Sequence, residues 1–285
     1  MSPSRRVLVV GGTNFDIIVH SGRMPEEHEK LRGGEYTALP GGSAANTALG
    51  LARQGCEVRL VSAVGDDVLG RMCVEDLRAG GVDTSLTVVD PAAPTGMAIV
   101  LTSGSGKRMM TFAGADRDPA IGAVTPDDVR GVDHVHVVGE PTPALARVVS
   151  LARRAGRSVS VEWNGRDMSS LAGEATLNFM NADEAGRLPG ALPGDPEGMA
   201  RRYAAALSGQ VILTLGSEGA LWASPDGTVL REPTVAVEPV DRTGGGDAFD
   251  AGFVAAWLTG ERSAACLRAG LDAALHVITK RGAHP

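Results

Sequence analysis

The chain has 285 residues, with 27 Lys and Arg against 34 Asp and Glu, and this net charge of −7 argues against nucleic acid or an anionic membrane as its main partner. Hydrophobic residues make up 43% and aromatic ones only 4%, so aliphatic side chains and alanine must fill a core sized for one large domain, or one domain with a small lid. Cys56, Cys73 and Cys266 stand far apart in no metal-ligating spacing, which suits a reducing cytoplasm; no stretch is long enough to span a bilayer, and the apolar run after Arg5 and Arg6 ends too soon for a signal peptide.

Arg6–Val10 is a near-continuous β-branched run and reads as a buried strand. Gly11-Gly12-Thr13 lacks the third glycine of a dinucleotide-binding turn, and Phe15, Ile17, Ile18 and Val19 continue as strand, which disfavours that reading. Residues 25–40 are polar and turn-rich. Gly41-Gly42-Ser43 then opens a helix through Ala44, Ala48, Leu49 and Ala52 that Gly55 stops. A strand over 58–64, a turn at Gly65-Asp66-Asp67 and a helix over Val68–Ala79 follow. Residues 95–102 and 108–113 are expected to form a hairpin around Ser103-Gly104-Ser105-Gly106-Lys107. That glycine-rich turn lacks the glycine spacing, the Ser or Thr after the lysine and the helix that a phosphate loop requires.

Past Pro126 the pattern alternates. Strands are predicted at 132–138, 158–162, 177–180, 211–214 and 221–223, and helices near 142–155, 182–188, 198–207, 247–258 and 263–279. Such alternation implies βαβ crossovers, and hence an α/β fold with a doubly wound, mostly parallel sheet flanked by helices. Residues 17–39 and 95–113 break the alternation and read as β-hairpins that form a small β-sheet lid on a single domain over 1–285.

The richest stretch for chemistry is Asp241-Arg242-Thr243-Gly244-Gly245-Gly246-Asp247-Ala248-Phe249. Glycines at a helix start let backbone N–H groups converge, and the helix dipole adds partial positive charge, so an anion such as phosphate is favoured there. Asp247 beside such an anion suits a base that takes a proton from an attacking hydroxyl; as a bare motif it reads first as a tight turn followed by an N-capping Asp. Asn14 and Asp16 alternate after the first strand, where an amide and a carboxylate hold sugar hydroxyls or serve a turn. Asn181 and Glu184 make a capping box. His134 and His136 alternate along a strand with no third ligand in view and are read as packing residues. Arg201 and Arg202 form a solvated helix face.

These strings resemble the ribokinase-like (PfkB) carbohydrate kinases: Gly41-Gly42-Ser43-Ala44-Ala45-Asn46 matches the family's N-terminal signature, and the run from Asp241 to Phe249 its C-terminal one, with Arg242 and Gly245 in place of the usual Thr and Ala. The resemblance implies transfer of the γ-phosphoryl group of ATP to a hydroxyl of a sugar or sugar acid. In that reading Asn14, Asp16, Gly41, Gly42, Ser43, Asn46 and Glu140 hold the acceptor. Asp247 is the base, and Gly244, Gly245 and Gly246 stabilise the transferred phosphoryl group. Glu162-Trp163-Asn164-Gly165-Arg166 resembles a motif whose arginine meets nucleotide phosphates; Asn164, Arg166, Asn181, Thr214, Gly216, Gly219 and Asp272 are assigned to ATP, with Ala273 and residues 280–283 bordering the adenine. Glu184 is assigned to Mg²⁺ through water, and Asp241 and Thr243 to K⁺. Family members often carry a lysine where Ser43 stands; Lys30, Arg32, Lys107 or Arg108 are the compensating candidates. A nucleoside is the alternative acceptor, with Phe15, Tyr36 and Phe112 as stacking candidates, and a phosphorylated sugar ranks third. A non-catalytic sugar-binding or regulatory protein is the alternative class. The expected assembly is a cytoplasmic homodimer paired through the lid.

Overall fold

The computed structural model describes residues 5–32, 34–103, 106–115 and 117–280. The first half runs β1 (Arg6–Val10), β2 (Asn14–His20), β3 (Glu35–Gly41), α1 (Ser43–Arg53), β4 (Glu57–Gly65), α2 (Val68–Ala79), β5 (Val82–Asp83), β6 (Thr87–Asp90), β7 (Met97–Ser103), β8 (Gly106–Phe112), α3 (Asp118–Ala123) and α4 (Pro126–Arg130). The second half runs β9 (His134–Val138), α5 (Pro143–Arg154), β10 (Ser158–Glu162), β11 (Leu177–Asn181), α6 (Ala182–Ala185), α7 (Pro196–Leu207), β12 (Gln210–Thr214), β13 (Ala220–Ala223), β14 (Val229–Glu232), α8 (Gly245–Trp257) and α9 (Ser263–Ile278).

The main sheet has the order β14-β13-β12-β11-β10-β9-β1-β4-β5, with β6 pairing along the far end of β4. Strands β12 through β5 are parallel, and β13 and β14 close one edge antiparallel. Helices cover both faces, so β1 is apolar at every position but its first. Leu8 and Val10 pack with Val137, Leu145 and Val148 on one face, and Val7 and Val9 pack with Ala48, Phe249 and Phe253 on the other. A side chain of this kind contributes roughly 1.5–3 kcal/mol when fully buried. The polar exceptions are mostly paired inside the sheet: the fully buried His134 ring bonds Ser158 and Ser160 on the adjacent β10, and His136 Nδ1 bonds Ser160, at 2.7–2.8 Å, while His136 Nε2 has no partner among the described residues.

The chain leaves β1 toward β4 on one side and returns to β9 on the other, which puts a topological switch point at the carboxyl ends of β1 and β9. Ligand crevices form at such a point because the loops diverge there. A second sheet, β3-β2-β7-β8, starts only three residues after β1, with β2 antiparallel to β3 and parallel to β7.

Five short elements depart from the expectation: β5, β6, β14, α3 and α4. None is long enough to establish a hydrophobic period, although α4 carries a legible start in the reciprocal Thr125–Asp128 capping box with Pro126 at its first position. The helix expected over 182–188 is only Ala182–Ala185, because Gly186 caps it. The polar segment over 25–40 ends in a full strand, β3. Gly104 and Ser105 of the hairpin turn, and residues 281–283 of the expected adenine border, lie outside the described residues.

Candidate active site

The loops at the carboxyl ends of β1, β9, β10, β11 and β12 meet the N-terminus of α8 in one crevice. At its floor, Asn14 donates from Nδ2 to Asp16 Oδ1, and Asp16 is buried. Its carboxylate rests on Gly41, where a Cβ would overlap Asp16 Oδ2. Gly42 has φ +100°, and a Cβ there would come within 2.6 Å of the Gly12 carbonyl and 2.7 Å of Asn14 Oδ1, so only glycine fits this approach. Across the crevice Asn46 Nδ2 donates to Asp247 Oδ2 at 2.7 Å. That bond ties the first turn of α1 to the first turn of α8, 201 residues apart.

Helix α8 begins without a side-chain cap, because its N-cap is Gly244 in the left-handed conformation, φ +76°. First-turn amides lack intrahelical partners, and here no capping side chain occupies them, although the Gly245 N–H donates to the Arg242 carbonyl at 3.3 Å. The three glycines differ in kind. Gly244 is required by its φ. Gly245 is buried, and a Cβ there would lie 2.8 Å from Ile278 Cγ2. Gly246 is exposed, and a Cβ there would meet nothing within 4 Å.

Three cavities converge on Gly246. The first, about 210 Å³, is an apolar slot walled by Val235, Val237, Leu271 and Ile278, with Thr214, Gly216 and Gly219 along its rim. The second, about 700 Å³, is polar and holds Asn14, Asp16, Gly42, Ser43, Asn46, Asn164, Arg166, Thr243, Gly244 and Asp247, with Val100, Met109 and Thr111 of the second sheet as one wall. The third, about 110 Å³, is lined by Glu162, Glu184, Asp247 and Asp250, with Asn164 and Asn181. Asn164 has φ +45°, a left-handed conformation that asparagine tolerates, and its N–H reaches Glu162 Oε1 at 2.9 Å. Glu162 and Asp250 share a hydrogen bond. Burial pushes Glu162 up to about 7, and burial together with the Glu162 charge raises Asp250 well above the usual carboxylate range.

An all-oxygen set of this kind fits Mg²⁺, whose charge would replace the proton that the buried pair now needs. Among the described residues no group of three His, Cys, Asp or Glu side chains is placed to hold a metal ion directly. Glu184 also closes the expected capping box: Asn181 Oδ1 accepts from the Glu184 N–H at 2.8 Å.

Several expected residues stand apart from the cavity surfaces. Gly41 lies beneath Asp16. Glu140 is exposed, ion-paired with Arg166 at the cavity mouth. Asp241 is buried behind the loop, where its Oδ1 accepts from Thr243 N–H at 2.9 Å. Asp272 is exposed: Leu271, Ala274, Leu275 and Ile278 form the helical stripe along the slot, and position 272 falls out of that phase. Lys30, Arg32 and Arg108 are exposed and do not line the acceptor-sized cavity, and the side chain of Lys107 lies outside the described residues. Sequence reasoning missed Asp250, Arg117 and the wall over 234–239. Asp250 had a signal, a lone carboxylate inside the apolar run of α8, whereas the wall comes from a segment without periodicity.

This geometry coincides with a family match. A family model described as pfkB family carbohydrate kinase matches residues 4–285. A nucleoside kinase of Methanothermobacter thermautotrophicus is 30% identical, covering 99% of this chain and 92% of its own. An ATP-dependent ribose-1-phosphate kinase of Halopiger xanaduensis is 31% identical, covering 89% and 85%. The structure of Arabidopsis thaliana ribokinase complexed with ribose and ATP superposes with a TM-score of 0.85 at 26% identity, covering 99% of this chain and 95% of that one. With its two glycine signatures meeting across one crevice, the chain belongs to the pfkB family of carbohydrate kinases, phosphotransferases that use an alcohol group as acceptor.

Proposed function

We propose that this kinase transfers the γ-phosphoryl group of ATP to a primary hydroxyl of a sugar or sugar acid. The observation that carries the reading is Gly246, an uncapped helix start at the junction of an apolar slot, a polar cavity and an acidic pocket, with Asp247 beside it. The slot accepts the adenine between Val235, Val237 and Leu271. The polar cavity accepts the sugar, with its hydroxyls on Asp16 and Asn46. Asn46 orients the Asp247 carboxylate, which takes the acceptor's hydroxyl proton. The acceptor oxygen bonds to the γ-phosphorus as the bond to the bridging oxygen breaks, and ADP leaves with that electron pair. The Gly244, Gly245 and Gly246 amides and the α8 dipole stabilise charge on the transferred oxygens. Mg²⁺, when bound, offsets the charge of the ATP phosphates; Glu184 holds it through water, beside Glu162 and Asp250. Carbonyls of Asp241 and Thr243 hold K⁺. The second sheet, from the segments 17–39 and 95–113, acts as a lid that excludes water, and pairing of two lids makes a homodimer. The protein works in the cytoplasm.

A nucleoside acceptor is suggested by the Methanothermobacter relative. Against it, no aromatic ring among the described residues lines the acceptor cavity: Phe15 is buried, and Tyr36 and Phe112 are exposed on the second sheet. Coupled ADP release over sugars, sugar acids, nucleosides and sugar phosphates tests the acceptor class. Asp247→Asn should lower kcat by about 10²–10⁴ with ATP binding nearly intact, and full activity in that variant would remove the base from the mechanism.

A further inference from the structure

The acceptor cavity contains a cation that the reaction does not use. Three arginines line it. Arg166 is engaged by Glu140. Arg242 stands on the border with the apolar slot, where nucleotide phosphates pass. Arg117 lines the acceptor cavity and neither of the other two. Its guanidinium lies over Gly139 and Gly12, at the ends of β9 and β1: a Cβ on Gly139 would be 3.3 Å from one guanidinium nitrogen and 3.5 Å from another, and a Cβ on Gly12 would be 3.9 Å away. Among the described residues the half-buried Arg117 side chain makes no hydrogen bond and no ion pair. The glycines beneath it leave the planar fork open to the cavity.

An unengaged guanidinium in a cavity is matched by an anion with two coplanar oxygens. Asp16 and Asp247 line the same cavity and receive hydroxyls, so an anionic group set against them would be repelled, and the guanidinium is the group left to take it. We infer that the acceptor carries an anionic substituent, a carboxylate or a phosphate, which Arg117 holds at the end of the molecule remote from the hydroxyl that is phosphorylated. The inference rests on the kinase reading and narrows it. Arg117 is a specificity residue: it selects the charged acceptor and fixes which hydroxyl meets Asp247.

The test uses two acceptor series with matched carbon skeletons, D-ribose, D-ribonate and D-ribose 1-phosphate, and D-glucose, D-gluconate and D-glucose 1-phosphate. ADP release is measured with wild type, Arg117→Gln and Arg117→Ala, and binding of each compound is measured by calorimetry. Wild type should favour a charged member over its neutral sugar by at least tenfold in kcat/KM. Both variants should reduce that ratio at least tenfold, mainly through KM, while melting near the wild-type temperature. The carboxylate and phosphate members identify which anion is held. Preference for the neutral sugar, an unchanged ratio in both variants, or binding of none of the charged compounds overturns the inference. Absence of ADP release with every acceptor, while a charged compound still binds wild type and not Arg117→Ala, would leave the Arg117 site standing and sink the kinase reading instead.

Discussion

Replacing Gly246 by alanine separates a glycine kept for a ligand from glycines kept for the fold. In the ligand-free protein the new methyl group meets nothing within 4 Å, and Gly246 lies in the first turn of α8 with a negative φ. Alanine is favoured over glycine inside a helix by about 0.5–1 kcal/mol, so Gly246→Ala should leave the protein as stable as wild type or slightly more so, a shift of roughly 0–3 °C in melting temperature. The other two glycines behave oppositely. Gly244→Ala forces a Cβ onto a residue at φ +76°, at a cost of about 1–2 kcal/mol. Gly245→Ala drives a Cβ to 2.8 Å from Ile278 Cγ2, which must move, at a cost of about 1–3 kcal/mol. Turnover reverses the order. A methyl group at 246 stands where a phosphoryl oxygen approaches the amide, and blocking one such donor lowers kcat by about 10²–10³. Thermal unfolding without nucleotide, paired with ADP release at saturating acceptor, reads both quantities. A Gly246→Ala enzyme with wild-type kcat, or one as destabilised as Gly245→Ala, would refute the assignment of that space to a ligand.

The acidic pocket and the buried histidines give opposed pH dependences. Glu162, raised from 4.5 to about 7, keeps its proton in the folded protein where the unfolded chain has lost it, so it costs stability that grows as pH rises from about 4.5 to 7, and Asp250, raised well above 3.8, adds a cost of the same sign that begins near pH 3.8. Without Mg²⁺, Glu162→Gln/Asp250→Asn should therefore be more stable than wild type at pH 8, by about 3 kcal/mol from Glu162 with Asp250 adding to it, and the gain should vanish below about pH 3.8; equal stability of the two proteins at pH 8 contradicts the shared-proton reading. Burial lowers His134 to about 3 and His136 to about 4 from 6.5, so both stay neutral in the fold, and stability is lost as pH falls below 6.5 with a slope that approaches about 2.7 kcal/mol per unit. In wild type the carboxyl pair masks part of this slope. Melting temperature should fall more steeply between pH 6.5 and 4.5 in the double variant than in wild type, and parallel curves would exclude the opposition.

The alternation of strand and helix past Pro126 was legible because a strand buried on both faces must be apolar throughout, while its crossover helix carries a 3.6-residue stripe. The glycine signatures were legible because glycine at 42 and 244 answers a local backbone demand that no other residue meets cheaply. Elements of two to six residues such as β5, β6 and α3 were not, since their strands pair with β4 and their helix packs on α5 only after the chain has folded.

The site divides in the same way. By itself the sequence determined an α/β chain with a glycine-rich helix start at Gly244–Asp247 and a polar pair at Asn14 and Asp16. Only the tertiary structure decided that Asn46 bonds Asp247 across 201 positions, that Asp250 faces Glu162 rather than solvent, that Asp272 falls outside the slot and that Arg117 lines the polar cavity. The physical reason is range: backbone conformation and periodicity are set by neighbours within a few residues, whereas the partner of a charge is set by the strand order of the sheet and the switch point beside β1.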